Sequence, residues 1–152
     1  MNLWEIQSFV GNLLSASPKL AGVPVLKDDG TYPKTPEREK ALNEKGLLLI
    51  VWEIESDGLA DQSITGVAAH DIYVPVVIEE NVKINRAEGG TGIEATQALQ
   101  FVLEACSGKP RPSLPNRGLV LMDPPFRNFG KINGINRMVV NFSLRAFVAP
   151  QS

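Results

Sequence analysis

The sequence predicts an α+β fold: a single domain over residues 1–152, with an antiparallel or mixed β-sheet packed by two main helices, plus one short surface helix. Three observations carry that expectation. Two segments, one at the N-terminus and one ending near Cys106, repeat apolar residues at intervals of three and four, as a helix with one buried face does. Several other segments alternate apolar and polar residues at strand spacing. A chain of 152 residues that is 43% apolar is long enough for one core, and no repeat, low-complexity tract or linker marks a second domain.

The elements follow in order. Leu3, Ile6, Phe9, Val10, Leu13 and Leu14 form the first helical stripe, and Pro18 ends it. Val23 to Leu26 reads as a short strand whose Pro24 argues for an edge position. Asp28-Asp29-Gly30 makes a turn. In "TPEREKALNEKG", Thr35 caps, Pro36 suits the first helical position, Glu37 and Glu39 meet the positive end, and Lys45-Gly46 closes a short polar helix on the surface. "LLLIVWEIE" is the first strong strand, apolar on both faces in its first half as a central strand is.

Ser56 to Ala69 turns small and polar and reads as a long loop. "HDIYVPVVIEE" alternates again, with Pro75 predicting a neighbour that is unpaired or bulged on one side. A glycine turn and a second main helix run to Cys106. "SGKPRPSLPNRG" reads as a loop, "LVLM" as a short strand and "DPPFRNFGKING" as a turn-rich link. The last strand alternates most cleanly: Met138, Val140, Phe142, Leu144, Ala146 and Val148 face the core, and Arg137, Asn141, Ser143 and Arg145 face out. Burying each large residue of that row is worth about 1.5–3 kcal/mol before entropy is subtracted.

Composition narrows the function classes. The net charge of −2 gives no global reason to bind nucleic acid or an anionic membrane. No apolar run approaches the roughly 20 residues that span a bilayer, and no basic start followed by an apolar run predicts secretion. The single Cys106 excludes an internal disulfide and, on an apolar helix face, reads as a small buried hydrophobe. The Asn141-Phe142-Ser143 sequon lies inside a predicted strand and is discounted.

The motifs favour structure over chemistry. "RAEGGTGIEATQALQF" has neither the lysine and hydroxyl that follow the glycines of a P-loop nor the spacing of a dinucleotide fingerprint. Thr91 and Glu94 instead form a T-x-x-E capping box, so the glycines bend the chain and Thr91 caps the helix. His70 is the only histidine, at a strand start with no serine or cysteine tied to it. No metal-ligand spacing is present, and no cofactor motif. Glu79-Glu80 and Glu53/Glu55 supply carboxylate pairs of the type glycosidases use, but at strand ends they read as solvated surface. Lys109, Arg111 and Arg117 form a basic loop without interleaved aromatics to stack bases, which suits a partner at least as well as a nucleic acid.

The order is helix, edge strand, short polar helix, two long strands, capped helix, strand and final alternating strand. Carried by "SPKLAGVPVLKDDG", "LLLIVWEIE", "HDIYVPVVIEE", "GIEATQALQFVLEA" and "NRMVVNFSLRAFV", this layout resembles the tail-terminator (tail-completion) proteins of long-tailed bacteriophages and related prophage elements. The resemblance implies a hexameric ring that sits on the finished tail tube, stops its polymerisation and offers a surface to the head-side connector. It implies a non-enzymatic virion component made in the host cytoplasm, without metal or cofactor. Its partners would be copies of itself, the tail tube protein and the head–tail connector protein, with no membrane and no sequence-specific nucleic acid. The expected contacts lie in the two predicted loops, at Asp57, Leu59, Asp61 and Ile64 and at Lys109, Arg111 and Arg117, with the helix Pro36 to Lys45 a third region. The alternatives are another virion or tail-like assembly component, such as a neck or tube subunit or an injection component, or a small-molecule enzyme or binding domain using His70.

Overall fold

A computed structural model describes residues 3–28, 36–62, 68–111, 114–118 and 120–148. Its elements are α1 (Leu3–Ser15), a 3₁₀ turn (Pro18–Leu20), β1 (Val25–Lys27), α2 (Pro36–Glu44), β2 (Leu47–Val51), β3 (Glu55–Gln62) and β4 (Ala68–Asn81). They continue with α3 (Val82–Asn85), α4 (Ala95–Cys106), β5 (Pro110–Arg111), β6 (Leu114–Gly118), β7 (Val120–Ile132) and β8 (Ile135–Val148). Six strands form one mixed sheet in the order β1-β2-β4-β8-β7, with β3 also pairing β4. The β1–β2 pair is parallel and the others are antiparallel. The fold is α+β.

The sheet is built on β4 and β8, paired from Ala68↔Val148 to Asn81↔Ile135. One face meets both main helices: Ile6, Val10 and Leu14 of α1 and Ala98, Leu99 and Val102 of α4 bury Leu49, Val74, Val76, Val140 and Phe142. The spacings of three and four in each helix put those residues on one stripe. On the other face, Ala41 and Leu42 of α2 cover Leu48, Ile50, Val77 and Val139. The short polar helix is therefore not purely superficial, because its two buried residues close a second, smaller core.

Pro75 explains a break in the sheet. The Trp52 amide donates to the Pro75 carbonyl at 2.9 Å. Proline has no N–H to return, so the pair cannot exchange both bonds of an antiparallel rung. The ladder along that side of β4 passes from β2, ending at Val51, to β3, starting at Glu55. The strand expected over "LLLIVWEIE" accordingly stops at Val51, buried on both faces as its sequence indicates.

Other expectations are corrected. The segment expected as a loop from Ser56 to Ala69 is mostly strand: β3 pairs β4 from Glu55↔Tyr73 to Gln62↔Ala68, with bulges. Proximity to β4 outweighs the poor strand propensity of its Ser, Asp, Gly and Ala residues. "SGKPRPSLPNRG" holds the β5–β6 pair. "DPPFRNFGKING" is not a link, because most of it extends β7 along β8 as an edge strand, where proline is tolerated. The short strand starts at Val25 rather than Val23, just after Pro24.

Thr91 does not cap the second main helix. Its hydroxyl donates to Asn85 Oδ1 and accepts from the Ile93 amide. Glu94 takes the N-cap position instead, with its own amide donating to Gln97 Oε1 at 2.9 Å. The glycines do bend the chain, and packing adds a demand: a Cβ on Gly90 would collide with the backbone of Ile84 and Asn85. Gly46, at φ +78°, meets the Asn85 backbone in the same way. This turn serves close packing.

Candidate functional site

The β7–β8 hairpin gives the most distinctive surface. Asn133 and Gly134 both have positive φ, 52° and 81°, and join Ile132 directly to Ile135. That geometry is a two-residue type I′ turn, whose twist matches the strands it connects. The pairing then slips by one residue between Asn128↔Met138 and Gly130↔Arg137, so Phe129 has no rung partner. Asn128 Oδ1 accepts the Gly130 amide at 2.8 Å and fixes the bulge.

Three large apolar residues of β7 are left in solvent: Phe126 is 41% exposed, Phe129 53% and Ile132 69%. Phe129 and Ile132 border a recess of about 390 Å³ whose other walls include Arg38 of α2, Glu79 of β4, and Ile135 and Arg137 of β8. The recess exists because α2 covers the β2 side of this face and stops short of β7.

Its floor is ionic. Arg38 Nε donates to Glu79 Oε1 at 2.7 Å and Nη2 to Oε2 at 2.8 Å, a two-pronged contact. Arg137, opposite Glu79 across the β4–β8 ladder, approaches Oε2 at 3.7 Å and lies over the Trp52 ring at 5.4 Å. The Glu79 hydrogen bonds raise the Arg38 guanidinium above its ordinary value, against the opposing effect of burial. Burial lowers that of Arg137. Both stay cationic under physiological conditions. Their shared carboxylate is spoken for.

Glu80 points to the opposite face, as consecutive strand residues must. Asn85 Nδ2 donates to its Oε2 at 2.5 Å, Asn136 Nδ2 to its Oε1 at 3.4 Å, and Arg86 Nε stands 3.6 Å away. Asn85 also donates to the Ile93 carbonyl at 2.7 Å, so one amide locks the glycine turn to the sheet. The expectation that Glu79 and Glu80 are solvated is thus wrong: they are 2% and 0% exposed. Buried carboxylates require partners, and here the partners come from other elements. Lying on opposite faces, the two cannot flank one substrate. Glu53, by contrast, is exposed as expected.

The sequence-predicted contact residues fall into separate places. Asp57, Leu59 and Asp61 lie on β3, and Ile64 lies outside the described residues. Arg111 and Arg117 sit on paired strands β5 and β6. Lys109 is exposed at a second hollow of about 440 Å³ between the ends of α1 and α4, where Lys19 bridges Glu104 at 2.9 Å. Hydrogen bonds from Lys19 and then Gln100 hold the Glu104 carboxyl below its usual range. His70 occupies a rung of β4 between Leu59 of β3 and Ala146 of β8. Cys106 is buried as expected, its thiol pushed up to about 12 by burial, with Lys109 opposing. Among the described residues, no three His, Cys, Asp or Glu side chains gather as a metal site.

The exposed residues of β7 were missed by sequence reasoning. The signal was present in "FRNFGKING", whose Asn-Gly pair favours a hairpin. No helix among the described residues is long and apolar enough to cross a membrane. No protein-family model matches the chain, and no curated protein matches it in sequence.

Proposed function

We propose that this chain is an assembly subunit of the tail-terminator kind, which joins copies of itself in a ring on the end of a tail tube and offers its other face to a head-side connector. The observation that carries the reading is the apolar row Phe126, Phe129 and Ile132, exposed on an edge strand beside a half-covered sheet face. Exposed apolar groups on a sheet edge favour association, and they are retained where association is the task. The buried carboxylates support the same reading from the other side, since both are engaged in holding the fold.

The mechanism is steric and interfacial. Ring subunits match the growing tube end on one surface and lack the tube-like second surface, so the next tube ring finds nothing complementary. Repeated contacts around the ring act together through effective concentration, which makes weak individual contacts sufficient. No bond is made or broken.

Purified tail tubes test this directly. In negative stain, the protein should decorate tube ends and shorten the length distribution when present during polymerisation. Tubes that grow to unchanged length with bare ends would sink the proposal.

A further inference from the structure

The sheet has two open edges of opposite charge. On one side β7 pairs with β8, and from Phe126 to Ile132 it carries Arg127 and Lys131, both exposed, and no acid. On the other side β3 pairs with β4 and carries Glu55, Asp57 and Asp61 and no base. The stretches are seven and eight residues long, so they match in reach. Strand β1, which also lies at an edge, spans only Val25–Lys27 and ends in a lysine, so it would repel β7.

We infer that copies of this chain join edge to edge, with the basic, apolar edge β7 of one against the acidic edge β3 of the next. This rests on the assembly reading above and adds which surfaces meet. The second copy is the occupant that the charges specify: two cations face three carboxylates. The two surfaces differ, so the contact is head-to-tail, the type that closes rings. Both edges are also bulged, β3 near Leu59 and β7 at Phe129. Bulges interrupt a backbone ladder and discourage open-ended sheet growth. The contact is therefore made by side chains, with Leu59, the one large apolar residue of β3, available to the apolar row. Charge pairing fixes partner and direction, while apolar burial supplies adhesion.

Two reversals test it by sedimentation across a concentration series. One variant carries Arg127→Glu and Lys131→Glu; the other carries Glu55→Lys, Asp57→Lys and Asp61→Lys. Alone, each faces like charge with like and should lose on the order of 100-fold in self-association. Mixed in equal amounts, they should recover it, because each altered edge then meets its complement. Circular dichroism and melting of the separate variants check folding. If the β3 variant does not fold, the milder Asp57→Asn with Asp61→Asn replaces it, and wild-type association should also weaken with salt.

Wild-type protein that associates and caps tubes, with either reversal leaving association unchanged or the folded mixture failing to recover it, overturns this contact and leaves the assembly reading standing. Wild-type protein that neither associates nor binds tube ends overturns both.

Discussion

The two faces of the sheet are covered to different extents, and their chemistry differs with the cover. Against α1 and α4 the face is apolar over its length, from Leu49 through Val76 and Val140 to Phe142. Its buried charge, Glu80, sits at the end and is held mainly by neutral amides of Asn85 and Asn136. Against α2 the apolar patch is small, the buried charge is held by arginines, and the β7 side lies open with Phe129 and Ile132 in solvent. A monomer gains its stability from the first face and keeps the second unfinished. That division suits a subunit whose second face is completed by assembly.

Breaking the sealed face should have the largest effect. Phe142 is fully buried, and Phe142→Ala should cost about 3–5 kcal/mol in urea denaturation, through lost transfer energy and the cavity left behind. On the half-covered face, Glu79→Ala strands Arg38 and Arg137 over one another. Removing one partner of a buried pair costs about 3–5 kcal/mol, and Arg38, with 19% of its side chain exposed, can partly rehydrate. A loss of about 3 kcal/mol is expected. Denaturation midpoints should show α2 loosened, with faster amide exchange in Ala41 and Leu42 than in α4; equal exchange in both helices would contradict a face held by that ion pair.

The sealed face was largely legible and the open one was not. Spacings of three and four in α1 and α4 and alternation in β8 are local patterns, and each found its buried row. Glu79 gave no local sign of burial, because the arginine that makes burial tolerable lies 41 residues away on α2. Strand β3 was hidden for the same reason, since Ser56, Asp57 and Gly58 become strand only beside β4. Strand β7 was obscured by Pro124, Pro125 and Gly130, which punctuate most sequences but are allowed on an edge. The Asn133-Gly134 turn was local and readable. The apolar row it organises became recognisable as a surface only once α2 was seen to stop short of it.

Cys106 sharpens the comparison through pH, since it lies wholly within the sealed face. Burial raises its thiol from the ordinary 9.0 to about 12, so the folded state keeps a proton that the unfolded chain gives up. That contribution is complete below the unfolded value and is lost as pH rises through the folded one. Cys106→Ala should lose about 1 kcal/mol at neutral pH from its small cavity. The difference between variant and wild type should then shrink as urea midpoints are followed from about pH 7 to about pH 11. Parallel curves would mean that the thiol is not sealed from water.

The smallest stability effect belongs to the open face, where it is most informative. Phe129→Ser and Ile132→Ser remove groups that are already 53% and 69% exposed, so little burial is lost when the monomer folds. Each should alter monomer stability by no more than about 0.5 kcal/mol. Self-association and tube-end binding should fall steeply in the same variants, because the removed groups would be buried only in the assembly. Stability and association thus separate on this face, whereas Phe142→Ala moves both together through the fraction folded. If Phe129→Ser instead destabilised the monomer as strongly as Phe142→Ala, the row would belong to the monomer's own core. The contrast between a sealed and an unfinished face would then disappear.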